Sequence, residues 1–514
     1  MCERRYAGRV NPMVNIEVPL LTSKRSRLLL PFWCVVLCMA ACRRDVRETV
    51  PIVWAAKPVE ITSRELQESF LLRPKFPASL KGKAALEAHL NGMVRYKYLA
   101  WAGEEQGLGQ SDQVRDRLRW VREQAMREQL FKREVRDAIQ VSEEELRRAF
   151  LKRRRFIHGR HLYVQSLEEA QLWQARLQQG LSFEDAAQAV YAGLDEDMAR
   201  TGGRLAPFTW GDMDAHFEAA AWALEPGELS QPVASRWGYH IIRLDSIHLD
   251  PMITEVDFNQ DRQKVEALLR QRKEDSLSTA FVAKVMKGLE VRVKAESFNL
   301  IVQQARQASR RRSGSLPPHN PLSEGEWAAV AQSLQQRAEQ PFVLYRGGRW
   351  TIADFINRFQ AIPPLYRPHP QNPQLFEQEL RNMIRDDFLT RRAEKLGLRD
   401  DPYVIDRVAQ ARQDLMAAAM AQRLAGAVTV SDDQVQRFMQ HQSVTESAHT
   451  EEAVRQAARA RLVKVKQDSV ISAYVDAWLQ GRTVHRDKSE LQKVLDALGG
   501  EKAAYIAVWQ PPAR

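Results

Sequence analysis

The stretch "GDMDAHFEAAAWALEPGELSQPVASRWGYHIIRLDS" (211–246) decides how the centre of this chain folds. "MDAHFEAAAWAL" has the spacing of a helix, "EPGELSQPV" that of a turn, and "WGYHIIRLDS" reads as a strand. Just upstream, "TGGRLAPF" (201–208) places two glycines, a leucine and a proline before an aromatic, the pattern of a tight turn leading into a short strand. Further back, "RFIHGRHLYV" (155–164) alternates and is β-prone, "SLEEAQLWQARLQQG" (166–180) is an amphipathic helix capped by Ser166, and "SFEDAAQAVYAG" (182–193) is a second helix. The predicted order is βααβαββ, an α/β sandwich of roughly 100 residues.

An internal repeat sets the limits of this domain. Residues 90–126 align without gaps on 380–416, an offset of 290, with 12 of 37 positions identical. Leu90, Met93, Leu99, Gly107, Val114 and Met126 are among those that recur. The likeness continues, one residue slipped, into "VSEEELRRAF" (141–150) and "VSDDQVQRFM" (430–439). A second block, "KEDSLSTAFVAKVMKG" (273–288), matches "KQDSVISAYVDAWLQG" (466–481) at an offset of only 193. Copy one therefore carries 97 residues between 150 and 273 that copy two lacks, the size of one small domain. Helical periodicity dominates 60–150, 255–305 and 350–495, and Ser142–Glu145, Ser166–Glu169 and Ser431–Gln434 fit the capping box.

The predicted class is α+β: mostly helical modules, internally duplicated, with one inserted α/β domain whose sheet is antiparallel. The expected division is a signal segment at 1–42, copy one in two parts at 43–150 and 250–304, the insert at 151–249, a linker at 305–342, and copy two, without an insert, at 343–514. "RRRSGSLPPHNPLSEGE" (310–326) reads as the exposed part of that linker.

The formal net charge is +11, with 27% charged and 8% aromatic residues. Basic and acidic residues alternate closely, as in "VREQAMREQLFKREVRD" (121–137), which is the mixed face of a solvated helix. No zinc-ligand set, phosphate loop or stacked-aromatic pattern is present in the sequence, so neither nucleic acid, nor a metal, nor any other cofactor is expected.

All four cysteines, Cys2, Cys34, Cys38 and Cys42, lie in the first 42 residues. They surround "SKRSRLLLPFWCVVLCMAAC", in which Lys24, Arg25 and Arg27 precede an apolar run from Leu28 to Ala41 that is short for a membrane-spanning helix. Met13 is an alternative start. The ending Ala40-Ala41-Cys42 resembles the bacterial lipoprotein signal, although Met39 replaces the usual leucine. This resemblance implies lipid on Cys42 and an extracytoplasmic, membrane-anchored protein of the bacterial periplasm or envelope. An ordinary signal peptide and an uncleaved anchor are the alternatives.

The insert resembles the parvulin-type peptidyl-prolyl cis-trans isomerases in six ordered motifs: "RHLYV", "LSFEDAA", "GGRL", "GDMDAHFEAAAWAL", "GELSQPV" and "WGYHIIRL". The flanking helices resemble the modules of SurA- and PrsA-like extracytoplasmic foldases. The resemblance implies that Met213 and Phe217 form a proline socket supported by Leu205. It implies that His161 and His240 form a buried pair that orients the site, and that Ser235 is a further site residue, at a position often Ser or Thr in the family. An acidic site residue falls at Glu196, with Asp195 and Asp197 as alternatives. On spacing alone, Met213 and Phe217 are ordinary core residues and the histidines satisfied core histidines. Arg204 and Ala206 depart from the family's Gly-Gly-Asp-Leu-Gly pattern; the alanine is costly if its position needs a positive φ. The implied function is isomerase and chaperone for unfolded exported polypeptides with X–Pro bonds. The alternative is a non-enzymatic holdase whose insert only binds peptide.

Overall fold

The computed structural model describes residues 51–504, apart from 236, 251, 311–320 and 442–450. The signal segment and Cys42 lie outside the described residues, as does most of the basic, proline-rich link. Copy one opens with β1 (Ile52–Ala56), β2 (Val59–Thr62) and α1 (Ser63–Leu72), followed by α2 (Gly82–Glu105), α3 (Asp112–Glu134) and α4 (Glu143–Arg153). The insert holds β3 (Arg155–Val164), α5 (Leu167–Gln178), α6 (Phe183–Tyr191), α7 (Glu196–Arg200), α8 (Ala215–Trp222), β4 (Val233–Ser235) and β5 (Gly238–Leu249). Copy one resumes with α9 (Glu255–Met286), β6 (Arg292–Val293) and α10 (Ala295–Arg310), and α11 (Glu324–Leu334) follows. Copy two then runs through β7 (Pro341–Tyr345), β8 (Gly348–Thr351), α12 (Ile352–Ala361), α13 (Pro373–Lys395), α14 (Pro402–Gly426), α15 (Asp432–His441), α16 (Glu451–Leu479), β9 (His485–Arg486) and α17 (Lys488–Ala497).

The copies match element for element, but they are not two self-contained modules. The opening hairpin of copy one pairs with the end of copy two, Trp54 opposite Arg486. The opening hairpin of copy two pairs with the end of copy one, Arg292 opposite Leu344. The sheet orders are β2-β1-β9 and β6-β7-β8, so each takes its third strand from the other copy. Neither β6 nor β9 exceeds two residues, too short for any periodicity to announce the exchange.

The chain divides into two compact units. One comprises β1 up to Ala55, Glu60–His89 and the stretch from Val484. Its core holds Val53, Ile61, Leu66, Phe70 and Leu495, and His89 stands edge-on to Phe70 and Phe76. His89 accepts from Lys75 N at 3.0 Å; burial, with the charge of Lys75, pushes its pKa down to about 4.

The other unit runs from Leu90 to Thr483, with the turn Ala56–Val59. Here α3 of copy one packs on α13 and α14 of copy two. Leu99, Val114 and Leu118 meet Met416, Ala417 and Met420, while Ala125, Met126 and Leu130 meet Ala393, Leu398 and Val404. Repeated identities such as Val114, Met126 and Met416 are therefore contact residues between the copies, where a change of volume is costly.

The expected linker at 305–342 needs correction. It contains the last turns of α10 and the whole of α11, whose Trp327, Val330 and Leu334 are buried. Trp327 stacks on Phe359 at 3.6 Å and meets Phe355 edge-on. Ser323 and Glu326 close a capping box at the helix start. The Pro/Gly-rich composition just upstream hid a helix that begins at that cap.

In the insert, β3, β5 and β4 form an antiparallel sheet in that spatial order. The short strand expected within 201–208 is present only as two bridges to β3, Arg204 to Arg160 and Phe208 to Ile157. Leu205 N donates to Gly159 O at 2.9 Å and Phe208 N to Ile157 O at 3.1 Å. Pro207, which has no N–H, falls between these two donors on the sheet edge. The short helix α7, over the acidic cluster, was not predicted.

Candidate active site

The two central strands bring His161 and His240 together, Nδ1 to Nδ1 at 3.2 Å, with the rings nearly parallel at 11°. His240 Nε2 lies 2.8 Å from Ser235 Oγ, which accepts from Trp237 N at 3.1 Å. Trp237 N–H donates to the serine oxygen, whose hydroxyl has both His240 Nε2 and, at 3.4 Å, Gly238 O in reach, and one imidazole donates its Nδ1–H to the Nδ1 of the other. Both imidazoles are then neutral. Burial, with repulsion from His240, pushes His161 down to about 3. Burial also lowers His240, against the charge of Asp214, which raises it.

An apolar patch adjoins the pair. Phe217 is buried and meets His161 edge-on at 5.8 Å and His240 at 5.2 Å. Leu205, Met213, Trp222 and Val233 are partly buried against the cluster that contains Phe217, Phe208 and Ile242. Sequence reasoning put Met213 and Phe217 on one helical face; instead Met213 precedes α8, whose N-cap is Asp214. It reaches the same cluster from the loop.

Gly203 holds the turn beside the site. Its φ is +74°, and a Cβ there would stand 2.4 Å from His161 O, which is why no larger residue fits. His161 N donates to Gly203 O at 2.8 Å, pinning the histidine strand to this turn. Ala206 carries no such strain, since Glu290 is the one non-glycine residue with a left-handed φ among the described residues. Arg204 is exposed. Beneath the turn, buried Arg160 pairs with Asp245 at 3.1 Å and with Glu184.

The acidic cluster bonds within its own loop and helix, and the charge of Asp195 acts on Tyr191. Asp195 caps α7 by accepting from Met198 N at 3.0 Å, Asp197 pairs with Arg200 at 2.9 Å, and Glu196 is exposed on α7. The carboxylate that acts on His240 is that of Asp214, at the start of α8.

Comparison with known proteins finds relatives of this region. Residues 164–246 match a family model described as "Rotamase: PPIC-type PPIASE domain". The chain contains a PPIC-type PPIase domain. Over 189 residues the chain is 28% identical to Foldase protein PrsA of Oceanobacillus iheyensis, covering 37% of this chain and 54% of that protein. Over 128 residues it is 34% identical to Foldase protein PrsA 2 of Listeria monocytogenes, covering 25% and 40%. The matches thus span about half, or less, of these relatives' own lengths. Among solved structures it is similar to NmPin, the parvulin of Nitrosopumilus maritimus, at 35% identity over 18% of this chain and 96% of that one, with a TM-score of 0.16.

Two residues of the PPIase domain escaped the sequence reading. Tyr191, on α6, donates its hydroxyl to His161 O at 3.1 Å and accepts from Tyr163 N at 3.0 Å, bracing the histidine strand from below. Its burial raises its pKa far above the ordinary range, so the hydroxyl stays a donor. Glu218, on α8, is 2% exposed and accepts from Gly211 N at 2.7 Å and Met213 N at 2.8 Å. It is the glutamate of the motif "GDMDAHFEAAAWAL", but the motif does not name its partners, which lie in a loop or on another helix.

Proposed function

We propose that this protein is a peptidyl-prolyl cis-trans isomerase acting on unfolded exported polypeptides, with its duplicated helical modules as the client-holding frame. The observation that carries the reading is the neutral, mutually bonded His161–His240 pair beneath the apolar Met213, Phe217 and Leu205. Rotation about an X–Pro bond breaks amide resonance, with a barrier of about 18–20 kcal/mol, and makes or cleaves no bond. It needs no acid, no base and no metal.

A site suited to it grips the proline ring and surrounds the twisting amide with low-dielectric, preorganised groups, which favours the less conjugated state. Met213 and Phe217 grip the ring, with Leu205 as support. The imidazole pair and Ser235 form a fixed dipolar floor. Each lowering of the barrier by about 1.4 kcal/mol accelerates rotation tenfold.

The lipoprotein-like segment supports an extracytoplasmic location with attachment through lipid on Cys42. Among the described residues, no helix is long and apolar enough to cross a membrane. Release of a Cys42→Ser variant from membranes would support the lipid anchor; continued partitioning would oppose it. The isomerase reading is tested by refolding a client limited by proline isomerisation. Catalytic amounts of the protein should accelerate the slow phase, and an unchanged slow phase would count against it.

A further inference from the structure

The loop that carries Met213 is held from outside the PPIase domain. Arg272 lies on α9, beyond the family match that ends at 246. Its Nη2 donates to Glu218 Oε2 at 2.7 Å and to Met213 O at 2.9 Å. The other oxygen of Glu218 takes the Gly211 and Met213 N–H groups, so one carboxylate and one guanidinium enclose both peptide groups flanking Met213. The Glu218 side chain is 3% exposed and that of Arg272 19%.

The rest of the loop is fastened to the same helices. Trp210 packs against the cluster of Phe150, Phe258, Val265 and Leu269, and Arg153 Nη1 donates to Trp210 O at 2.8 Å. Gly211 has φ +100°, and a Cβ there would fall 2.0 Å from Leu268 on α9.

Copy two supplies a control. In the matched helix α16, the position equivalent to Arg272 is Val465, 53% exposed. The arginine is present where there is a loop to hold and absent where there is none.

We infer that Arg272 of the helical module is a positioning residue for the proline socket, fixing the backbone at Met213 through Glu218. The inference rests on the isomerase reading above, and the socket's competence thereby depends on a helix outside the PPIase domain. A loose loop swings Met213 away from Phe217, which weakens the grip on proline while the folded fraction stays intact.

The test uses the full chain with Arg272→Met and Arg272→Lys, at a temperature where thermal unfolding shows both folded. KM for an X–Pro peptide should rise about tenfold in Arg272→Met, with the Met213 methyl resonance shifted, and Arg272→Lys should restore a substantial part of both. Adding Glu218→Gln to Arg272→Met should cost little more, because the pair acts as a unit. Unchanged KM and an unmoved Met213 methyl, with only a lower Tm, would reduce Arg272 to a structural tie and overturn the inference. If the wild type itself accelerates nothing, the isomerase reading fails separately. The Met213 resonance and the affinity for a proline peptide then decide the positioning role, and neither changing would overturn it.

Discussion

Copy one and copy two are the same helical pattern with and without a passenger. In copy one, α4 and α9 present Phe150, Phe258 and Val265, and Trp210 of the insert covers them. In copy two, α15 and α16 close on each other through Val435, Ala458 and Leu462, with Phe438 and Met439 against them. Arg272 becomes Val465 and Leu268 becomes Arg461. The difference teaches that the insert has recruited its host: one face of the α4–α9 pair serves the PPIase loop, while the faces that join the copies stay alike. The exchange of β6 and β9 points the same way, since neither copy completes its sheet alone.

The harshest way to break this comparison is to turn copy one into copy two. Replacing residues 154–254 with residues 442–450 should abolish isomerisation and leave the far-UV helical signal of the remaining modules. Surviving catalysis would place the active site elsewhere, and a collapsed helical signal would show the frame to depend on its passenger.

A second contrast separates site from frame. Phe217→Ala and Trp327→Ala each empty a buried aromatic position, and each should cost about 3–5 kcal/mol in chemical unfolding. Only Phe217→Ala should also raise KM for an X–Pro peptide. An equal rise for Trp327→Ala would mean that the frame, not the socket, sets affinity.

Met213→Ala should lower kcat/KM about tenfold, with a smaller loss of stability because Met213 is only partly buried at the cluster edge. Normal kinetics in that variant would remove Met213 from the socket.

The mildest effect on catalysis concerns pH. The folded-state pKa of His161 is about 3, below the unfolded value of about 6.5. The stabilisation from keeping it neutral is complete above pH 6.5 and is lost as pH falls from there towards 3. Unfolding free energy should decline through that acid window, while the isomerisation rate of the folded protein shows no inflection near pH 6.5. A titration of activity at that pH would mean that one imidazole is charged in the working state.

Much of this was legible in the sequence. The change of repeat offset bounded the insert because it is a count, independent of any structural propensity. Met213, Phe217, His161, His240 and Ser235 were named from motifs and converge in space. What escaped depends on distant contacts. The resemblance implies a site residue in the acidic loop, where Asp195 caps α7, Asp197 pairs with Arg200 and Glu196 is exposed. The strand exchange rests on two-residue strands. Arg272 meets Glu218 across 54 residues of chain, with no motif joining them. Ala206 would be costly only at a positive φ, and the left-handed positions fall on Gly202 and Gly203 instead.

The central claim is that the socket over the neutral histidine pair turns X–Pro bonds. Exchange spectroscopy on a short X–Pro peptide with the full-length protein tests it most directly. Cis and trans resonances should exchange far faster than the uncatalysed tens of seconds, and Met213→Ala should slow that exchange. Exchange no faster than in buffer, with unfolded protein still bound, would contradict the claim and leave a holdase.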